Sequence, residues 1–123
     1  MKIFITGANG FLGRSLKEYY ASDHEIVEYV RGTDIVMHLN VAKPDLILHC
    51  AGEIYNPEHM FKTNVTMVEE IVEWVRRNPQ TRMIHVGSSS EYGALDRPSR
   101  ETDRINPLNV YEATKGAGTL LCQ

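Results

Sequence analysis

Three glycines at three-residue intervals, Gly7, Gly10 and Gly13, stand between a short apolar run and a helical repeat, and no other feature constrains the chain as strongly. Lys2-Ile3-Phe4-Ile5-Thr6 stops at Gly7, and Phe11, Leu12, Ser15, Leu16, Tyr19 and Tyr20 then recur at helical spacing. The reading is strand, glycine turn, helix. A turn without side chains lets the main chain come close to a pyrophosphate, and the start of the helix adds N–H groups and the positive end of its dipole. A ligand-free tight turn would use the same glycines, but placement after a strand and before a helix favours phosphate recognition.

The rest of the chain repeats the alternation. Glu25 to Val30 reads as a second strand, and Asp34-Ile35 as a remnant of a third before a short helix around Val36 to Ala42 that Pro44 ends. Asp45-Leu46-Ile47-Leu48-His49-Cys50 is nearly continuous in apolar character, the pattern of a strand covered on both faces. Asn56 and Pro57 mark a helix start as N-cap and first-turn proline. The helix behind them carries Phe61, Val65, Val68, Ile71, Val72 and Val75 on one stripe and stops near Asn78-Pro79. Met83-Ile84-His85-Val86 is the next buried strand, a polar loop runs from Tyr92 to Pro107, and a last helix begins near Val110. Such alternation with short links specifies an α/β protein with a doubly wound parallel sheet. Trp74 and the methionines read as core or interface.

Composition removes several function classes. A chain of 123 residues is one domain, long enough to remove roughly two-thirds of its unfolded surface from water. Thirteen Lys and Arg against sixteen Asp and Glu leave a net charge of −3 with no basic cluster, so the footprint of a nucleic-acid binder is missing. No apolar run approaches the roughly twenty residues that span a bilayer, and Thr6-Gly7 interrupts the apolar start before an export signal forms. The expected location is the cytoplasm. Cys50 and Cys122 lie far apart without ligand-like spacing and read as reduced, packing thiols. His49 and His85 end neighbouring strands, but without a third ligand they read as packed histidines rather than a metal site.

Tyr111 and Lys115 lie four apart on the last helix and so share one face. A phenol ordinarily titrates at about 10, and acid–base work near neutrality needs a neighbouring cation, which an ammonium supplies in part. The strand ending at Val86 runs into Gly87-Ser88-Ser89-Ser90-Glu91-Tyr92-Gly93. On its own, a serine triplet in such a loop serves equally as a set of hydroxyls capping backbone groups.

Taken together, the G-x-x-G-x-x-G spacing, the Gly87–Gly93 string and the Tyr111/Lys115 pair resemble the extended branch of the short-chain dehydrogenase/reductase superfamily, the NAD-dependent epimerase/dehydratase enzymes that act largely on nucleotide sugars. The resemblance covers essentially the whole chain. It implies a Rossmann-like NAD(P)-binding domain over residues 1–123, incomplete relative to the family: truncated after about five strands and lacking the C-terminal substrate domain. Gly7, Gly10, Phe11, Leu12 and Gly13 would then cradle the pyrophosphate, Asp34 and Ile35 would lie by the adenine, and Ala51 and Gly52 would flank the centre of the cofactor. Asn64 resembles a structural and cofactor-site asparagine of this branch, although a polar residue on a helix face accounts for it equally well. Lys115 would hold the nicotinamide ribose, Tyr111 would exchange the proton with the substrate oxygen, and a serine after the fifth strand would orient that oxygen. Counting back from Tyr92-Gly93 puts this hydroxyl on Ser88, with Ser89 as the alternative. Relatives that prefer NAD usually place an acid at the end of the second strand. Val30 occupies that place here and Arg31 follows, which favours NADP over NAD if Arg31 receives the 2′-phosphate rather than serving as a solvated loop charge.

Dehydratases of this family carry Glu two residues after the catalytic hydroxyl, where the count from Ser88 places Ser90; Glu91 fills that slot only if Ser89 is catalytic. The expected activity is therefore a nucleotide-sugar 4-epimerase or 4-keto-reductase, with a tilt toward the deoxyhexose reductases. A dinucleotide-binding regulatory module and an inactive fragment of such an enzyme are the alternatives. The family is usually more than twice this long, so the chain is expected to be a fragment, a short reading frame or a domain completed by association. A homodimer or higher assembly is expected too, because extended relatives pair through the helix after strand four and the Tyr-Lys helix, and an unpaired sheet edge invites a partner.

Overall fold

The computed structural model describes residues 1–123 and divides into two compact units. The first takes in Met1–Ala51 and Glu69–Val86, the second Gly52–Val68 and Gly87–Gln123.

Four parallel strands form the centre of the first unit: β1 (Lys2–Thr6), β2 (Glu25–Glu28), β3 (Leu46–His49) and β4 (Arg82–His85), in the order β2-β1-β3-β4. The register pairs Thr6 with His49 and His49 with His85, so three strands end side by side. Ile3, Phe4 and Ile5 are fully buried, as a central strand requires. Alternation sends Ile3 and Ile5 to one face, where Ala8, Leu48 and the α1 (Phe11–Tyr20) residues Leu16 and Tyr20 pack on them. Phe4 points to the other face and meets His38 of α2 (Ile35–Ala42) edge to face, with ring centroids 5.1 Å apart. Helices on both faces make the sheet doubly wound. Trp74 of α4 (Met67–Arg77) donates from Nε1 to Asn40 Oδ1 at 2.8 Å and fastens that helix to α2.

Three expectations change here. Asp34-Ile35 is not a strand: Asp34 is the N-cap of α2, accepting the Met37 N–H at 2.9 Å, and Ile35 is the first helical residue. An aspartate cap followed by Ile35 and Leu39 on one buried face satisfies a helix better than a lone extended pair satisfies a sheet, and the sheet has four strands rather than about five. The second strand stops at Glu28, short of Val30. Nor is the strand around Met83–Val86 covered on both faces; as an edge strand it leaves Ile84 55% exposed.

The second unit is built from α3 (Pro57–Phe61), a π turn over Lys62–Thr66 that leads into α4, a 3₁₀ turn over Ser89–Tyr92, and α5 (Val110–Leu121), which packs against α3 and the π turn. Asn56 caps α3 by accepting the Glu58 N–H at 3.0 Å, with Pro57 in the first turn. The loop before α5 is braced by Arg97, whose guanidinium grips Asp103 through two hydrogen bonds of 2.8 and 2.7 Å. Gly93 has a φ of +69 and lies so close to Asn106 that a Cβ would strike its carbonyl oxygen.

The apolar stripe also needs correction. Phe61 is 64% exposed and Val65 only partly covered; the buried positions are Met60, Asn64, Val68, Ile71 and Trp74. These positions advance by four, four, three and three residues, so the inward stripe enters through Met60 and Asn64, one position before Phe61 and Val65. Asn64, not Val65, is turned inward.

Candidate functional site

In the first unit the glycine turn is held from below by Thr6. Its Oγ1 accepts the Ala51 N–H at 3.1 Å and lies 2.8 Å from His49 Nδ1. Gly7, at φ +67, passes so close to β3 that a Cβ would stand 2.8 Å from Ala51 N and 2.9 Å from Ala51 Cα. Gly13 is buried, and a Cβ there would collide with the Gly7 carbonyl. Gly10 donates its N–H to that carbonyl at 2.9 Å and stands at the helix N-cap with no side-chain cap. No acidic residue occupies the first turn of α1, Phe11 is 95% exposed and Leu12 is exposed. The result is a tightly packed turn leading into a helix N-terminus without a side-chain cap, electrostatically suited to an anion. Gly7 and Gly13 allow this close packing of main chain on main chain, and Gly10 leaves the helix start without a side chain.

Other residues expected at the cofactor are placed as follows. Arg31 is exposed and lies in the loop beyond β2, where Gly32 turns at φ +89. Asp34 spends an oxygen on the cap of α2, and the Ile35 side chain belongs to the core. Ala51 touches the glycine turn as described.

The second unit gathers Gly52, Asn64 and Lys115. A Cβ on Gly52 would lie 3.7 Å from Asn64 Oδ1 and 3.9 Å from Lys115 Nζ, so the ammonium of the buried Lys115 rests against this stretch of main chain. Asn64, at 1% exposure, uses both ends of its amide: Oδ1 accepts the Glu53 N–H at 2.8 Å, while Nδ2 donates to the Glu53 carbonyl and to Thr114 Oγ1, each at 3.0 Å. Thr114 in turn donates to the Tyr111 carbonyl at 3.0 Å. The π turn, the Glu53 main chain and the turn of α5 bearing Tyr111 and Lys115 thus form one bonded group. Thr114 and Glu53 were not singled out from sequence, where a threonine inside a helix and a loop glutamate carry no signal of their own.

Ser88 is the N-cap of the 3₁₀ turn. Its N–H donates to Glu91 Oε1 at 2.6 Å, and its Oγ lies 2.7 Å from Ser90 Oγ. Ser89 is exposed. Glu91 is 3% exposed, and its Oε1 also accepts the Thr119 hydroxyl at 3.0 Å, in a space kept open by Gly87. The Ser-x-x-Glu spacing of a capping box was present in the sequence and marks this arrangement.

His49 and His85 do come together, stacked with centroids 5.4 Å apart and ring planes 15° apart. No group of three or more His, Cys, Asp or Glu side chains is placed to hold a metal ion. Both cysteines are free thiols; Cys122 is exposed as a residue rather than packed, and partial burial of its thiol pushes the pKa up against the opposing pull of Lys115. No helix is long and apolar enough to cross a membrane.

Comparison with known proteins agrees with this geometry. A model of the NAD dependent epimerase/dehydratase family matches residues 3–123. A curated dTDP-glucose 4,6-dehydratase of Mycobacterium tuberculosis is 27% identical over 159 aligned positions, covering 98% of this chain and 47% of its own length. Among solved structures, a dTDP-4-dehydrorhamnose reductase from Bacillus anthracis in complex with NADP superposes with a TM-score of 0.85 at 20% identity, covering 98% of this chain and 48% of the other. A dTDP-glucose 4,6-dehydratase from the same organism, in complex with NAD, gives 0.84 at 18% identity and covers 98% and 49%. At these identities the two structures share the fold, and the chain spans about half the length of the relatives it matches.

Proposed function

The chain belongs to the NAD dependent epimerase/dehydratase family, and from that premise we propose that it is the cofactor-binding part of a nucleotide-sugar oxidoreductase, a 4-epimerase or 4-keto-reductase. The observation that carries the reading is the buried Lys115 ammonium lying against Gly52, four residues beyond Tyr111 on α5. Four residues apart on one helix, the tyrosine and the lysine share a face and can both reach one bound substrate and its cofactor.

Gly7, Gly10 and Gly13 receive the pyrophosphate, with Phe11 and Leu12 at the exposed helix start, Asp34 and Ile35 by the adenine, and Ala51, Gly52 and Asn64 along the centre. NADP or NAD, when bound, supplies or accepts hydride at the sugar carbon. Tyr111 moves the proton to or from the oxygen on that carbon, Lys115 holds the nicotinamide ribose, and Ser88 donates a hydrogen bond to the same oxygen. NADP is favoured, because the exposed Arg31 can grip a 2′-phosphate with charge-assisted hydrogen bonds. Reduction or epimerisation is favoured over dehydration because Glu91 is enclosed, with its Oε1 engaged by Ser88 and Thr119, and Ser90 offers a hydroxyl instead of a carboxylate. The protein is also proposed to self-associate; sedimentation at tens of micromolar tests this, and a monomer counts against it.

Nucleotide sugars presented with each dinucleotide test the enzyme reading. Turnover that Tyr111→Phe abolishes, with dinucleotide affinity kept, supports it. Saturable binding without turnover by the full-length protein leaves a dinucleotide-binding module, and absence of binding leaves neither.

A further inference from the structure

We infer that Ser90 is the positioning residue for Ser88, the two hydroxyls forming one hydrogen-bonded pair that presents a single proton to a carbonyl or alkoxide oxygen of the substrate. The inference rests on the oxidoreductase reading and deepens it, since position 90 is where a dehydratase of this family would hold its glutamate.

Main-chain rigidity comes first. Ser88 has its N–H fixed on Glu91 Oε1 at 2.6 Å, and the same oxygen is fixed by Thr119 at 3.0 Å. The Glu91 N–H returns to the Ser88 carbonyl at 3.1 Å, and the Glu91 carbonyl accepts the Asn106 N–H at 2.9 Å. With its N–H and carbonyl both bonded, the remaining freedom of Ser88 is rotation of its side chain. That rotation is restrained by Ser90, which brings two groups to Ser88 Oγ: its N–H at 3.3 Å and its own Oγ at 2.7 Å.

A serine hydroxyl has one proton and two lone pairs. The Ser90 N–H takes one lone pair of Ser88 Oγ. When an acceptor oxygen arrives in front of Ser88, the Ser88 proton turns toward it, and the Ser90 O–H fills the second lone pair. Both lone pairs are then occupied by donors, which polarises the Ser88 O–H and strengthens the bond it gives. Ser89, exposed and at the first position of the 3₁₀ turn, takes no part in this pair. The sequence left Ser88 and Ser89 as rivals; the turn instead couples Ser88 to Ser90.

A double-mutant cycle in the full-length protein, assayed with a 4-keto nucleotide sugar and reduced dinucleotide, tests the coupling. Ser90→Ala should lower kcat by about tenfold, the worth of one neutral hydrogen bond, while KM and dinucleotide affinity stay within about twofold. Ser90→Thr, which keeps the hydroxyl, should restore most of the rate. In a Ser88→Ala background, Ser90→Ala should cost nothing further, whereas a merely structural role would give the same loss in both backgrounds. Full activity in Ser90→Ala, or additive losses, overturns the inference. If the wild type turns over no such sugar, the oxidoreductase reading fails by itself, and neutron diffraction from the deuterated chain decides the pair: a deuterium between Ser88 Oγ and Ser90 Oγ supports it, and both deuterons pointing elsewhere sinks it.

Discussion

Asn64 donates from Nδ2 to Thr114 Oγ1 across 3.0 Å, joining the π turn to the helix that carries Tyr111 and Lys115. The same side chain closes two bonds with the Glu53 main chain, so truncation removes three bonds at once and leaves both Glu53 main-chain groups without this partner. Asn64→Ala should destabilise the protein by about 2–3 kcal/mol, the range for leaving covered polar groups without partners. Asn64→Asp keeps the acceptor but sets a carboxylate oxygen against the Glu53 carbonyl, and it too should lower the urea midpoint. A midpoint unchanged in both variants would show that the amide is dispensable.

The glycine turn separates two kinds of damage. Gly7→Ala forces a side chain to φ +67 and into the Ala51 main chain, and Gly13→Ala drives one into the Gly7 carbonyl; both should unfold or strongly destabilise the first unit. Gly10→Ala meets only the Gly7 carbonyl oxygen, at 3.2 Å, which a small shift accommodates. That variant should keep its circular dichroism spectrum while losing dinucleotide affinity, because its methyl group enters the cradle. Calorimetric titration with NADP and NAD measures the loss.

How much of this could be read beforehand depended on whether one local signal had a single structural meaning. Gly7, Gly10 and Gly13 did, and so did Asn56-Pro57, because a cap and a first-turn proline fit nothing but a helix start. Asp34 was ambiguous between the end of a strand and the start of a helix, and its bond to the Met37 N–H decided for the helix. The π turn was illegible: Phe61, Val65 and Val68 satisfy an unbroken α-helix, and only tertiary packing chose Met60 and Asn64 instead. The structural role of Glu91 was ambiguous in the same way. The Ser-x-x-Glu spacing of a capping box was present, but it adjoins the dehydratase position, and spacing alone does not separate a capping carboxylate from a reacting one.

Arg97 and Asp103 predict an acid limb in stability. Hydrogen bonds from Arg97 and the Arg100 N–H, with the charge of Arg97 adding to them, lower the Asp103 pKa to about 2 from its usual value of 3.8. A carboxylate whose folded pKa is depressed contributes stability that is complete above the unfolded value and disappears as pH falls through the folded one. Wild type and Asp103→Asn should therefore differ in urea midpoint above about pH 4 and converge toward pH 2. Because the Arg97 side chain is half exposed, the difference should also shrink in high salt.

Arg31 predicts cofactor choice. Arg31→Ala should weaken NADP about tenfold, the scale of a hydrogen bond to a charged partner, and leave NAD nearly unchanged. The ratio of the two dissociation constants is the quantity to measure, since a general loss of affinity would report damage to the loop. An unchanged ratio would overturn this role for Arg31.

Glu91 sets the last prediction, because its size and its charge can be separated. Its carboxylate occupies a space that Gly87 leaves open: a Cβ on Gly87 would lie 2.9 Å from both Glu91 Oε1 and Thr119 Oγ1. Glu91→Ala empties that space and strands the Ser88 N–H and the Thr119 hydroxyl, so it should cost about 3 kcal/mol through cavity and unpaired groups together. Glu91→Gln retains an oxygen for the same two donors and the same volume, and it should cost about 1 kcal/mol or less. If the glutamate instead acted as a base on substrate, the ordering in turnover would be different: glutamine would be as inactive as alanine while folding normally. Urea midpoints and turnover of the two variants, measured side by side, therefore distinguish a carboxylate that shapes the Ser88 turn from one that takes part in elimination.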